Sequence, residues 1–245
     1  MYTKAAPFDS FQIADIGDIP LNTFNLQESV NIIQEFIDEV ITQGAKPLSF
    51  GGDHTLTLPA LRAVAKHHGP VALIHVDAHA DTNDAMFGEK IAHGTVFRRA
   101  IEEGLIDCHK MFQIGLRTTG YAAEDFDWAR DQGVTVIQAE QCWYQSMTPL
   151  MEKIRATIGP DTPTYLTFDI DGLDPSVAPG TGTPEPGGLT SPQGIEIIRG
   201  CWGLNMVGAD LVEVSPPYDT TGNTSLLAAN LLFEMLCSFP GCKRT

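Results

Sequence analysis

Basic residues are scarce in this chain: 15 Lys and Arg stand against 31 Asp and Glu, a formal charge of −16. Such a field repels phosphate backbones and anionic lipid surfaces, so neither nucleic acid nor membrane is an expected partner, whereas cationic ligands and metal ions are. Long hydrophobic runs are missing too. No apolar stretch approaches the roughly 20 residues of a membrane span, and the opening Met1-Tyr2-Thr3-Lys4 leads into no apolar signal core. Cysteine is sparse and unpatterned. Cys108, Cys142, Cys201, Cys237 and Cys242 are odd in number and include no Cys-x-x-Cys pair. That spacing fits reduced thiols in a cytoplasmic setting rather than a disulfide framework. Low-complexity tracts, linkers and internal repeats are absent as well, so residues 1–245 read as a single domain.

What is present is an alternation of strand and helix patterns. Val30, Ile33, Phe36, Ile37, Val40 and Ile41 recur at helical spacing and predict a helix from Gln27 to Gln43. Strands are expected at Phe11–Ala14, Pro47–Phe50, Val71–Asp77, Met111–Leu116, Val134–Gln138, Tyr165–Ile170 and Met206–Val214. Helices are expected to start near Leu56, Gly94, Ala122, Pro149, Ser191 and Thr224. Short, almost continuously apolar strands separated by helices imply an α/β protein with a mostly parallel sheet covered on both faces. Pro175–Gly188, with four prolines and four glycines and no periodicity, reads as a long functional loop.

The polar residues of this pattern are unevenly placed. Asp53 and His54, then Asp77-Ala78-His79-Ala80-Asp81, then Asp169-Ile170-Asp171, and finally Glu213 all fall at carboxyl ends of expected strands. Ligands bind along that edge of an open parallel sheet. Alternate side chains of extended backbone share a side, which would bring together Asp77, His79 and Asp81 on one strand and Asp169 and Asp171 on another. With His54 they offer four carboxylates and two imidazoles. Four negative charges balance two divalent cations, and an oxygen-rich donor set with some imidazole and no thiolate suits Mn²⁺. Alone, Asp-x-His-x-Asp more often marks a polar loop after a buried strand; the coincidence of three such motifs is what points to metal. His75, inside its strand, reads as a packed core histidine. Asp53 reads as support for His54 or as the cap of the next helix.

Gly51-Gly52-Asp53-His54, Asp77–Asp81 and Phe168-Asp169-Ile170-Asp171-Gly172-Leu173-Asp174-Pro175 resemble the signatures of the ureohydrolase family of arginases, agmatinases and guanidino-acid hydrolases. The resemblance continues through Ala178–Pro184 and Glu213–Asp219, and spans roughly Phe8 to Gly241. It implies an arginase-like three-layer α/β/α fold and two manganese ions bridged by hydroxide, which attacks a guanidinium carbon to release urea and an amine. By motif position one ion takes His54, Asp77, Asp81 and Asp169, and the other takes His79, Asp77, Asp169 and Asp171. His93, in Ala92-His93-Gly94-Thr95, matches the family's proton-transferring histidine. Glu213 matches the carboxylate that pairs with the substrate guanidinium. The family also implies a homo-oligomer, trimer or hexamer. It carries a segment with a first strand ahead of the part matched by Phe8–Asp18, and that strand is expected to be missing here.

Substrate choice is expected to lie with the loop Thr82–Ala92. It holds Asp84, Glu89 and Lys90, so its charge does not separate an ammonium-tailed guanidine from a carboxylate-tailed one. Asn83 and Met86 are the expected tail contacts, with Met86 and Phe87 as an apolar wall. This loop and Gly120–Phe126 resemble those of bacterial guanidinobutyrases, implying hydrolysis of 4-guanidinobutyrate. Agmatine hydrolysis and a non-catalytic ureohydrolase-like subunit are the alternatives.

Overall fold

The computed structural model describes residues 3–117 and 126–244. In chain order they form α1 (Leu26–Thr42), β1 (Leu48–Phe50), α2 (Thr57–His68), β2 (Val71–Val76), α3 (Val96–Glu102), β3 (Ile106–Leu116) and α4 (Asp127–Asp131). They continue with β4 (Thr135–Gln138), α5 (Thr148–Ile158), β5 (Pro163–Asp169), α6 (Ser191–Gly200), β6 (Asn205–Val212) and α7 (Asn223–Ser238). Asn25 opens α1 by accepting the Glu28 N–H, and Thr190 opens α6 in a capping box with Gln193.

The strands lie in the order β1-β6-β5-β2-β3-β4, every neighbouring pair parallel. All six residues of β2 are buried. Ala72, Ile74 and Val76 face an apolar cluster with Met151, Ile197 and Leu231, supplied by α5, α6 and α7. Val71 and Leu73 face the opposite cluster, with Ile37, Leu61 and Phe97 from α1, α2 and α3. A strand buried on both faces has no polar side to show, which is why its sequence runs apolar without alternation. The result is a three-layer α/β/α arrangement.

The order places a switch point at the middle of the sheet. From β2 the chain moves outward to β3 and β4; from β5 it moves the other way, to β6. The carboxyl ends of β2 and β5 are hydrogen-bonded neighbours, with Val76 opposite Phe168, yet their outgoing segments diverge. A crevice opens where they part.

Several expectations are corrected. Phe11–Ala14 is not a strand. Its neighbourhood bonds to the chain's other end instead, through Ala6 N–H to the Lys243 carbonyl and Lys243 N–H to Ser10 Oγ, and among the described residues it pairs with no strand. β3 begins at Ile106 rather than Met111, because pairing with Val71 and a register shift carry the polar Asp107–Lys110 stretch into the ladder. The helix expected at Gly94 is first a 3₁₀ turn, His93–Thr95, and becomes α-helical at Val96. The helix start at Ala122 lies outside the described residues, as do Gly120 to Asp125 of the second substrate loop.

Candidate metal centre

The strand-end residues do meet, but not by strand pleating. β2 stops at Val76 and β5 at Asp169, so Asp77, His79, Asp81 and Asp171 stand in turns beyond the ladder. Each motif folds on itself. Asp77 Oδ1 accepts the His79 N–H at 2.6 Å, and Asp169 Oδ1 accepts the Asp171 N–H at 2.9 Å. These are local side-chain-to-backbone turns, a habit of aspartate. Asp171 Oδ1 in turn accepts the Ala78 N–H at 3.1 Å, joining the two turns across the crevice. Asp81 sits at φ +51° and Glu213 at φ +64°, left-handed backbone that side chains rarely adopt outside strained functional segments.

Two groups result. In the first, His54 Nδ1 lies 3.1 Å from Asp77 Oδ2, 3.0 Å from Asp81 Oδ2 and 3.4 Å from Asp169 Oδ2. Nδ1 is buried, and none of these contacts has hydrogen-bond geometry. In the second, His79 Nδ1 lies 3.3 Å from Asp77 Oδ1 and 3.1 Å from Asp171 Oδ2. Adjacent donors around an octahedral cation with bonds of about 2.1 Å stand about 3.0 Å apart. Donors at that spacing, too poorly aligned to bond one another, fit a cation held among them. Asp77 offers one oxygen to each group. His54, Asp77, Asp169 and Asp171 are all at most 3% exposed, and buried carboxylates in such number call for positive charge. The residues therefore fit a two-cation site.

Their electrostatics agree. Burial opposes a charge on His79, but the neighbouring carboxylates of Asp171 and Asp77 outweigh that and push its pKa up to about 12. His54 is likewise raised against its burial by Asp169, Asp77 and Asp81. Burial and the charges of Asp171 and Asp77 hold Asp169 well above the usual carboxylate range. Burial and Asp77 raise Asp171. Asp77 goes the other way, lowered despite burial by His54, His75 and His79.

The surrounding residues aim these donors. His54 Nε2 contacts Thr167 Oγ1 at 2.9 Å, leaving Nδ1 toward the carboxylates. Asp53 Oδ1 accepts the Thr55 N–H and caps the turn that carries His54. His75 is fully buried, as its strand position suggested, but its Nε2 is 2.7 Å from Asp77 Oδ2. His54, His75 and Asp77 also lie close enough to resemble a three-donor set. Both nitrogens of His75 are engaged, however, with Asp77 and with Gln113, so it serves Asp77 and is not a donor to a cation. Glu213 Oε1 accepts the His54 N–H at 2.8 Å, and burial raises its pKa.

His93 is exposed, at the start of the 3₁₀ turn that leads into α3. Asn83 supports the turn bearing His93, since its N–H and its amide both donate to the Gly94 carbonyl at 3.1 Å. Met86 packs on Gly94, where an added Cβ would lie 2.4 Å from Sδ. Phe87 is 97% exposed and forms no wall with Met86. Asp84 is tied to Lys90 at 2.6 Å and Arg99 at 3.0 Å, and these hold its pKa at about 2.

The sequence reading missed Gln113, Thr167 and Thr183, whose hydroxyl reaches Asp171 Oδ2 at 3.3 Å. It also missed Arg117. That guanidinium donates to the carbonyls of Gly115, Asp171, Gly172, Leu173 and Glu185, and staples the Pro175–Gly188 loop beneath the site. Neither Gln113 nor Thr167 stands out in the sequence, because polar residues recur in both strands: Asp107, His109 and Lys110 in β3, Thr164 and Asp169 in β5.

A cage of carboxylates and imidazoles at the switch point of an open parallel sheet is a layout suited to a metal-dependent α/β hydrolase. The chain belongs to the arginase family, whose model matches residues 1–237. It is 65% identical over 244 residues to the guanidinobutyrase of Pseudomonas aeruginosa, covering 100% of this chain and 76% of that one. It is 57% identical to the mitochondrial agmatinase of Gallus gallus, covering 98% and 71%. Among solved structures, the proclavaminate amidino hydrolase from Streptomyces clavuligerus superposes with a TM-score of 0.87 at 42% identity, covering 95% of this chain and 78% of that chain. The chain is a hydrolase acting on guanidino compounds.

Proposed function

We propose that this protein hydrolyses 4-guanidinobutyrate to 4-aminobutyrate and urea with two Mn²⁺ per chain. The observation that carries the reaction class is the pair of donor groups sharing Asp77. His54, Asp77, Asp81 and Asp169 would hold one ion, and His79, Asp77, Asp169 and Asp171 the other. When bound, the two cations supply Lewis acidity and a water of lowered pKa for attack on the guanidinium carbon.

The chain's own residues do the rest. Glu213 pairs with the guanidinium. Its anchorage on the His54 N–H fixes the plane of the carboxylate, and its partial desolvation strengthens the attraction for a cationic head. His93, held at the rim by the Asn83–Gly94 bonds, passes a proton to the departing amine. Asn83 and Met86 line the path of the substrate's tail.

The tail's chemistry is supported from two sides. The guanidinobutyrase relative shares more of this sequence than the agmatinase does. The Thr82–Ala92 loop also presents no unpaired Asp84 to an ammonium, because Lys90 and Arg99 already hold it. The working form is a cytoplasmic homo-oligomer, a trimer or hexamer. Urea release from manganese-loaded protein, measured in parallel on 4-guanidinobutyrate, 3-guanidinopropionate, agmatine and arginine, tests the reading. A preference for agmatine overturns the substrate, and no urea from any substrate with two ions bound overturns the activity.

A further inference from the structure

Asp77 gives one of its oxygens to each donor group, so its rotation sets both at once. Oδ1 accepts the His79 N–H at 2.6 Å and lies toward His79 Nδ1. Oδ2 lies 2.7 Å from His75 Nε2 and toward His54 Nδ1. His75 can hold Oδ2 only while Nε2 carries the proton, and that is decided one residue further out. Gln113 Nε2 is 2.7 Å from the Ala80 carbonyl, an obligate acceptor, so the amide must turn its NH₂ that way. Its second hydrogen then points to His75 Nδ1, 3.1 Å away. An acceptor at Nδ1 leaves the proton on Nε2, facing Asp77.

The Phe97 ring lies 4.1 Å from the imidazole, centroid to centroid, and His54 stands edge-on at 5.2 Å. His75 and Gln113 are paired across β2 and β3 and are both fully buried. Gln113 Oε1 is buried without a hydrogen-bond partner. A buried acceptor left so is a cost to the fold, and what the glutamine contributes here is its two donors.

We propose that Gln113 and His75 are positioning residues: Gln113 fixes the imidazole tautomer through the Ala80 carbonyl, and His75 thereby locks the rotation of Asp77 so that one oxygen serves each metal ion. This rests on the two-ion reading above and is independent of which guanidine is the substrate.

The test is manganese binding to the metal-free protein, titrated calorimetrically and by the electron spin resonance of free Mn²⁺, with no substrate present. Loss of an outer hydrogen bond to a metal ligand weakens affinity about 10- to 100-fold, and that drop is expected for His75→Phe and for Gln113→Met. His75→Gln, which keeps an amide donor near the position of Nε2, should recover most of it. Circular dichroism and the melting midpoint of the metal-free variants report folding separately, and Gln113→Met stands in if His75→Phe does not fold. Two ions bound with wild-type affinity in Gln113→Met, or no recovery in His75→Gln that folds normally, overturns the proposal. Wild-type protein that binds two ions but releases no urea would overturn the proposed activity and leave this inference standing.

Discussion

Asp77 is gripped by two glycines as well as by His75. Gly115 has φ +101°, and a Cβ there would stand 3.0 Å from the Asp77 carbonyl oxygen. A Cβ on Gly172 would stand 3.0 Å from the Asp77 nitrogen. Gly115→Ala therefore meets both backbone strain and a contact with main chain that cannot swing away. We expect it to lower unfolding free energy by about 1–3 kcal/mol, and to weaken manganese binding because Asp77 is displaced; urea denaturation and a metal titration read the two effects. His93 gives the opposite pattern. His93→Ala should bind manganese as the parent does while kcat falls about 10²- to 10⁴-fold, the usual worth of a proton-transfer group. Loss of metal in that variant would show that His93 has been misassigned. The donor residues were legible in the sequence because aspartate and histidine at strand ends are conspicuous. The glycines and Gln113 were not, since their part depends on which strands become neighbours, and the order β5-β2-β3 is fixed by long-range pairing.

At the level of elements, α7 is held at both ends by polar contacts. Near its start, Asp219 accepts the N–H groups of Thr224 and Ser225 and the Ser225 hydroxyl, and the Ser225 N–H leads the causes that lower its pKa. A carboxylate depressed on folding stabilises fully above the ordinary aspartate pKa and loses that contribution as the pH falls through its lowered value. Asp219→Ala should thus melt below the parent at neutral pH, and the two melting curves should converge on acidification below about pH 4. Toward its other end, Glu234 takes two bonds from Arg199 on α6, at 2.9 and 2.6 Å, with the carboxylate 5% exposed. Glu234→Ala should cost about 2 kcal/mol in chemical denaturation. Most helices and strands were readable from apolar periodicity and from the alternation of the two patterns. Phe11–Ala14 was misread because a strand needs an edge to join, and no local pattern reports whether one is there.

For the whole molecule, the cage joins segments that follow β1, β2 and β5, so filling it should stabilise the entire sheet edge. It also concentrates like charge. Asp169 is 3% exposed and held in a protonation-prone state by burial and by its neighbours Asp171 and Asp77. In metal-free protein near neutral pH that carboxylate is a liability, of the kind proteins tolerate for function. Saturating manganese at about a thousandfold above Kd adds about 4 kcal/mol, which for a domain of this size raises the melting midpoint by roughly 10 °C. Calorimetry of chelated and manganese-loaded protein should show that shift. Asp169→Asn separates the two effects, because an asparagine oxygen can still accept the Asp171 N–H while the charge is gone. The chelated variant should melt at or above chelated wild type, and manganese should shift it little or not at all. A chelated Asp169→Asn protein that melts well below wild type would mean that the carboxylate supports the fold directly, and that the crowding of charge at this edge is not held in reserve for cations.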